Sequence, residues 1–260
     1  APAAQIIFWK VLFNGIWGNG MVVAFEMSKG RTLGDMARDV RDGAKYVSAG
    51  TALQAVTTIL FPTAFILTYA ANVMLCVSLS PLWAGLLGSV FLKETLPRRT
   101  KLAIAAALFS ISVMFLPKLV GAAPATTPSP DDDDGGGYGD AAALFVSLVT
   151  ACYLVLARAA GMDGCGIEIA SGTGALVAAV LVGAAIASSG GSVFDHTSPL
   201  FYLAMVLNGF GLACIYLSFS IAPRYISGAQ VGLLSLLETI VGPLWVFAIY
   251  GETPPPATLV

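Results

Sequence analysis

Between Tyr46 and Leu92 the chain carries no Lys, Arg, Asp or Glu. About 20 apolar residues suffice for one helical crossing of a bilayer, so this stretch has room for two. Lipid offers no hydrogen bonds to the backbone, so only helices and closed barrels span it. A membrane barrel alternates apolar and polar residues along each strand, and this chain does not. The whole chain is 57% hydrophobic and 11% charged, against about 25% charged in soluble domains. The expected fold is an all-α polytopic membrane protein.

Apolar segments lie near 6–27, 47–67, 70–92, 101–119, 141–160, 168–188, 200–221 and 228–250. A short turn at Thr68–Asn72 makes the second and third a tight helical hairpin. Pro62, Pro81 and Pro243 fall inside segments, where a missing N–H is expected to kink the helix. All of the 13 basic residues except Lys10 and Lys118 fall on the connections after segments one, three, five and seven. The positive-inside rule therefore predicts that those connections are cytoplasmic. The stretch 121–139, with its Pro, Thr, Gly and four consecutive Asp, reads as a solvated non-cytoplasmic linker. It lacks the ligand alternation of an EF-hand loop.

A repeat crosses the chain. "AANVMLCVSLSPLWAGLLGSVFLKETLP" (70–97) aligns without gaps with "GAQVGLLSLLETIVGPLWVFAIYGETPP" (228–255), and both end in Glu-Thr-x-Pro. The copies lie five crossings apart, and an odd number reverses direction. Inverted repeats of this kind organise many secondary transporters, with the solute site near the midplane. The expected organisation is a first repeat at 1–120 and a second at 140–260, each short of one helix if the full unit has five. The chain begins without Met inside what reads as a helix entrance, and it reads as a fragment.

The segments "SPLWAGLLGSVFLKETLPRRTKLAIAAALFSISVMF" (80–115) and "LETIVGPLWVFAIYGETP" (237–254) resemble the two repeats of the EamA family, in the drug/metabolite transporter superfamily. "FWKVLF" (8–13) resembles the family's second helix, with Lys10 where Arg is common. The insert at 121–140 is longer than usual for the family. The resemblance implies ten helices in two inverted five-helix units, cytoplasmic termini, and transport of small organic solutes.

Glu238 stands inside an otherwise uncharged segment. A charge there costs roughly 2.5–3.5 kcal/mol on insertion scales. Two readings stand: a carboxylate lining a cavity, where it binds a solute or carries a proton, or a protonated Glu bonded to a neighbouring helix. Pro243 leaves the Thr239 carbonyl beside it without its helical donor, and Pro81 does the same for Val77. Asn72 and Gln230 occupy equivalent repeat positions. With Asn14, Trp17, Tyr69 and Tyr216 they complete the candidate substrate-binding set, against packing or an interfacial belt as the alternative. Asn19, Gln54 and Asn208 are further mid-membrane polar residues. Glu94 and Glu252 either cap helix ends or gate the two mouths. Gly228 with Gly232, and Ala84 with Gly88, set small residues four apart, which favours close packing between segments three and eight. Lys10 reads as a snorkelling side chain.

The expected function is a secondary transporter or facilitator for a small organic metabolite, using alternating access, with a proton or counter-solute as the driving partner. The alternative is a non-transporting scaffold or sensor on the same fold. An enzyme is not expected: the one histidine, His196, lies in a loop, and neither HExxH nor GxSxG occurs. No nucleotide loop, nucleic-acid patch, cofactor or metal site is expected. Three of the four cysteines sit in apolar segments without a CxxC spacing, as small packed thiols do.

Overall fold

The computed structural model describes residues 3–68, 70–93, 135–194 and 198–235, with isolated helical positions at 98, 102, 105, 106 and 109. All regular structure among the described residues is helical. It comprises α1 (Ala3–Ser28), α2 (Leu33–Asp42), α3 (Ala44–Leu67), α4 (Ala70–Val77), α5 (Ser80–Phe91), α6 (Gly135–Met162), α7 (Glu168–Ser188), α8 (Pro199–Ile221), a 3-10 turn (Ala222–Arg224) and α9 (Gly228–Ser235). Five spans, Ala3–Ser28, Ala44–Leu67, Tyr138–Met162, Glu168–Ser188 and Pro199–Arg224, are long and apolar enough to cross a membrane. The fourth apolar segment at 101–119 lies outside the contiguous described residues.

The ends of these helices follow local chemistry. Gly164 takes φ +72° after α6, and the Cys165 N–H then bonds the Ala160 carbonyl at 2.8 Å. Gly190 takes the same φ after α7. Only glycine enters this region without steric cost, which is why it commonly closes helices. Inside α3, Thr57, Thr58 and Thr63 return their hydroxyls to the carbonyls of Leu53, Gln54 and Ile59. Their polar atoms are thereby satisfied within an apolar span.

Three features differ from the sequence expectation. First, the charged connection after α1 contains helix α2. Thr32 and Asp35 form a reciprocal capping box there, and the hydrogen bonds from Thr32 hold the Asp35 carboxyl below its ordinary range. Second, the helix of the third segment is interrupted just before Pro81, where Ser78 and Leu79 form a turn. α4 ends at Val77, and Pro81 sits in the first turn of α5. That position needs no donor from proline and suits its fixed φ. Third, α6 begins at Gly135, so the last residues of 121–139 are helical rather than linker. A Cβ at Gly139 would lie 2.7 Å from the Thr68 Cβ and 2.8 Å from the Leu67 carbonyl carbon. Glycine therefore lets the start of α6 press on the end of α3, and Thr68 Oγ1 then donates to Asp140 Oδ1 at 2.7 Å.

The helices pack in a defined order. α1 runs antiparallel to α7: Phe8 meets Gly183, Gly15 meets Leu176, and Gly18 meets Gly172. α1 runs parallel to α8, from Trp9 on Tyr202 through Asn14 at Gly209 to Met21 at Cys214. α7 runs parallel to α3, from Ala170 at Gly50 through Gly174 at Gln54 to Ala178 beside Ala55. α3 in turn is antiparallel to α6. α5 and α9 pack antiparallel, with Gly232 on Pro81 and Val231 beside Ala84. Of the small residues expected to pack between the third and eighth segments, Gly232 meets Pro81, while Gly228 meets Leu154 of α6 instead.

Candidate functional site

The middle of the bundle is built around α7. A Cβ at Gly172 would lie 2.7 Å from the backbone nitrogen of Asn19, and one at Gly174 would lie 2.7 Å from the Thr51 carbonyl oxygen. Both crossings are therefore backbone against backbone, as small residues permit in membranes. Residues two apart on a helix point roughly 200° apart. Gly172 thus faces α1 and Gly174 faces α3, on opposite sides of α7.

Unmatched polar atoms sit beside these crossings. The Asn19 side chain donates to the Gly15 carbonyl at 3.1 Å, while its Oδ1 is buried with no protein partner. Gln54 is 2% exposed, and its Nε2 has no protein partner. Asn14, 1% exposed, is likewise unmatched at Nδ2 and lies against Gly209 of α8. An unmatched buried polar group costs about 1–3 kcal/mol. Water or a polar solute offsets such a cost. One turn of neighbouring polarity is satisfied internally, by a 2.9 Å hydrogen bond between the hydroxyls of Thr51 and Thr173.

The structure separates the residues grouped from sequence. Asn14 is at the α1–α8 contact. Trp17 is 38% exposed and meets Phe210 edge-on, with ring centroids 5.3 Å apart. Tyr216 is half-buried on α8, and its carbonyl accepts from Ser220 Oγ at 2.9 Å. Gln230 caps α9: its Oε1 accepts from the Ser227 N–H at 3.0 Å, and its own N–H donates to Ser227 Oγ at 3.4 Å. This reciprocal Ser-x-x-Gln cap places Gln230 at a helix end, away from Asn14, so the two do not share a site. Asn208 is exposed on α8. Asn72 belongs to α4, but its side chain lies outside the described residues, as do Tyr69, Glu94, Glu238, Pro243 and Glu252. Sequence reasoning passed over Thr51 with Thr173, whose signal was a threonine at matching depth on each of two apolar segments.

The two ends of the bundle contrast. At one end the connections after α1, α6 and α8 converge. Glu168 pairs with Arg224, Arg158 donates to the Pro223 and Arg224 carbonyls at 3.1 and 3.0 Å, and Tyr46 donates to Asp163. Arg31 links Glu26 to Asp39. At the other end, among the described residues, the polar contacts are mainly hydrogen bonds of neutral side chains. Gln5 and Trp9 donate to the carbonyls of Ser192 and Val193 there. An open apolar cleft of about 250 Å³ lies at this end between α1, α3 and α7, lined by Ile7, Ile59, Thr63, Val182, Ile186 and Ser189.

These features define the class: an all-α protein whose spans fit a multi-pass integral membrane protein. No family model and no curated protein matches the chain. A solved structure described as "Crystal structure of protein" is similar to it, with a TM-score of 0.69 over 100% of this chain and 83% of that one, at 18% sequence identity. At that identity the likeness shows a shared fold.

Proposed function

We propose that the chain is a secondary transporter or facilitator of a small organic metabolite, of the EamA type, built from two inverted units. The observation that carries this reading is the exchange pattern of the packing. Swap α1, α3 and α5 for α7, α8 and α9. The parallel pair α1–α8 then becomes α7–α3, which is also parallel, while α1–α7 and α5–α9 map onto themselves as antiparallel pairs. Two units related by a two-fold axis in the membrane plane would pack this way. Unmatched polar atoms at mid-helix on α1 and α3 are a second support, since intramembrane polarity commonly marks a solute path. The basic connections after the first, third, fifth and seventh segments are placed in the cytoplasm by their charge.

Two experiments test this. Counterflow in proteoliposomes, with labelled amino acids, nucleobases and organic acids, is expected to show exchange by the parent protein and its loss in Glu238→Gln. Exchange that survives Glu238→Gln would return that residue to a structural role. No exchange from folded protein would favour the scaffold. In cells, thiols introduced by Gly34→Cys and Ser129→Cys are expected to react with an impermeant reagent from opposite faces. Labelling from the same face would overturn the inverted arrangement.

A further inference from the structure

The break between α4 and α5 falls midway along the segment 70–92 and is walled by two other helices. On α6, Ala143 packs with Val73 and Cys76, while Ala151 and Leu154 pack with Ala84. Ser147 lies four residues from both Ala143 and Ala151, on the same face. Its register therefore sets it opposite residues 77–81, where the helix is interrupted. Ser147 is 0% exposed, and its Oγ has no protein partner. The indole N–H of Trp83, in the first turn of α5, is also buried without one. Ser80 is 4% exposed. From the third side, Gly232 of α9 approaches so closely that a Cβ there would lie 2.9 Å from the Pro81 Cα.

The two unmatched side chains here each have a proton to give, beside the carbonyls that end α4. Trp83 offers only a donor, and Ser147 offers a hydroxyl that can donate. The N-terminus of α5 adds the positive end of its dipole, opposed at the same break by the C-terminal end of α4. Interrupted membrane helices of this kind present such ends to anionic groups.

We infer that the α4–α5 break is the seat of a carboxylate group on the transported solute, held by Ser147 Oγ and the Trp83 indole N–H at the start of α5. This rests on the transporter reading and assigns the substrate class at its site. A serine in a dry packed interface would stay unmatched, whereas a bound acceptor satisfies its hydroxyl.

The test uses Ser147→Cys in proteoliposomes, with methyl methanethiosulfonate and modification read at that position by peptide mass. Glutamate, phenylalanine, succinate and benzoate are added, each beside its amide. The introduced thiol is expected to react. At least one carboxylate is expected to slow the reaction about tenfold near ten times its Kd, and its amide is not. Adding Trp83→Phe should leave the reaction and remove the protection. A folded Ser147→Cys protein that never reacts would overturn the seat, as would a reaction that no carboxylate slows. Equal protection by acid and amide would overturn the carboxylate assignment. Counterflow by the parent without protection would leave the transporter reading standing and this seat refuted. Protection without counterflow would do the reverse.

Discussion

Gly172→Ala and Gly174→Ala are each expected to lower the stability of the folded bundle by about 1–3 kcal/mol, the usual cost of overpacking. Gly211→Ala is expected to raise it slightly. All three change one hydrogen to a methyl within a helix. What differs is what the methyl meets. At Gly172 it would lie 2.7 Å from the Asn19 backbone nitrogen, and at Gly174 2.7 Å from the Thr51 carbonyl oxygen and 3.1 Å from the Ala55 nitrogen. Backbone atoms cannot rotate aside, so α1 or α3 must move away from α7 as a body. That movement would also loosen the contacts of Val11, Ala55, Ala178 and Ala179, which pack together beside these crossings. At Gly211 nothing lies within 4 Å. There the gain in helix propensity, about 0.5–1 kcal/mol, acts alone. Thermal unfolding in detergent, followed by tryptophan fluorescence, separates the three variants. Equal midpoints would mean that α7 does not touch its neighbours backbone to backbone.

The spans were legible because a long uncharged run has few alternatives in physics. The 168–188 segment coincides with α7 at both ends, and α1, α3 and α8 extend their segments by a few residues at most. Legibility fell where an element depends on a distant neighbour. Gly135 to Gly137 have the composition of a linker, yet α6 begins there because Gly139 packs on Leu67 and Thr68. Pro81 signalled an irregularity, and the helix is interrupted at 78–79, beside the contact of Pro81 with Gly232. α2 was hidden for another reason. Its charges read as a loop, although Thr-x-x-Asp at 32–35 marked a helix start.

The candidate site was legible as a list of residue types rather than as a place. Asn14, Asn19 and Gln54 stood out as polar groups in apolar runs. Which faces they occupy depends on the glycines of α7 and α8, and those set Asn19 and Gln54 on opposite sides of one helix. Gln230 shows the same limit from the other direction. Its repeat equivalence to Asn72 put it in the candidate substrate-binding set, while a local signal, Ser227-x-x-Gln230, decides its actual role as a cap. Local hydrogen bonding wins here because a first-turn N–H left unmatched is a certain cost, whereas a distant solute contact offers the cap nothing.

Glu168→Gln is expected to destabilise the protein by about 1–3 kcal/mol, between the near-zero value of exposed pairs and the 3–5 kcal/mol of fully buried ones. The Glu168 side chain is 17% exposed and that of Arg224 is 35% exposed, so water screens the pair only in part. The carboxylate also opens α7, where the helix dipole favours negative charge. Loss of that charge leaves Arg224 held against Gly161, where a Cβ would lie 2.9 Å from its Cγ, with no counter-ion in contact among the described residues. Arg224→Gln is expected to cost less, and the double variant less than the sum, because each removes the same interaction. Arg38→Ala makes the comparison: Arg38 pairs with Asp35 but is 76% exposed, and its loss is expected to stay within about 0.5 kcal/mol. On the alternating-access reading the Glu168–Arg224 pair ties the α6–α7 turn to the connection before α9 and must release when this end opens. Glu168→Gln would then speed thiol labelling of Ser171→Cys, one turn inside that end and 3% exposed. Unfolding midpoints for Glu168→Gln and Arg38→Ala that coincide would show that the pair does not hold these turns together.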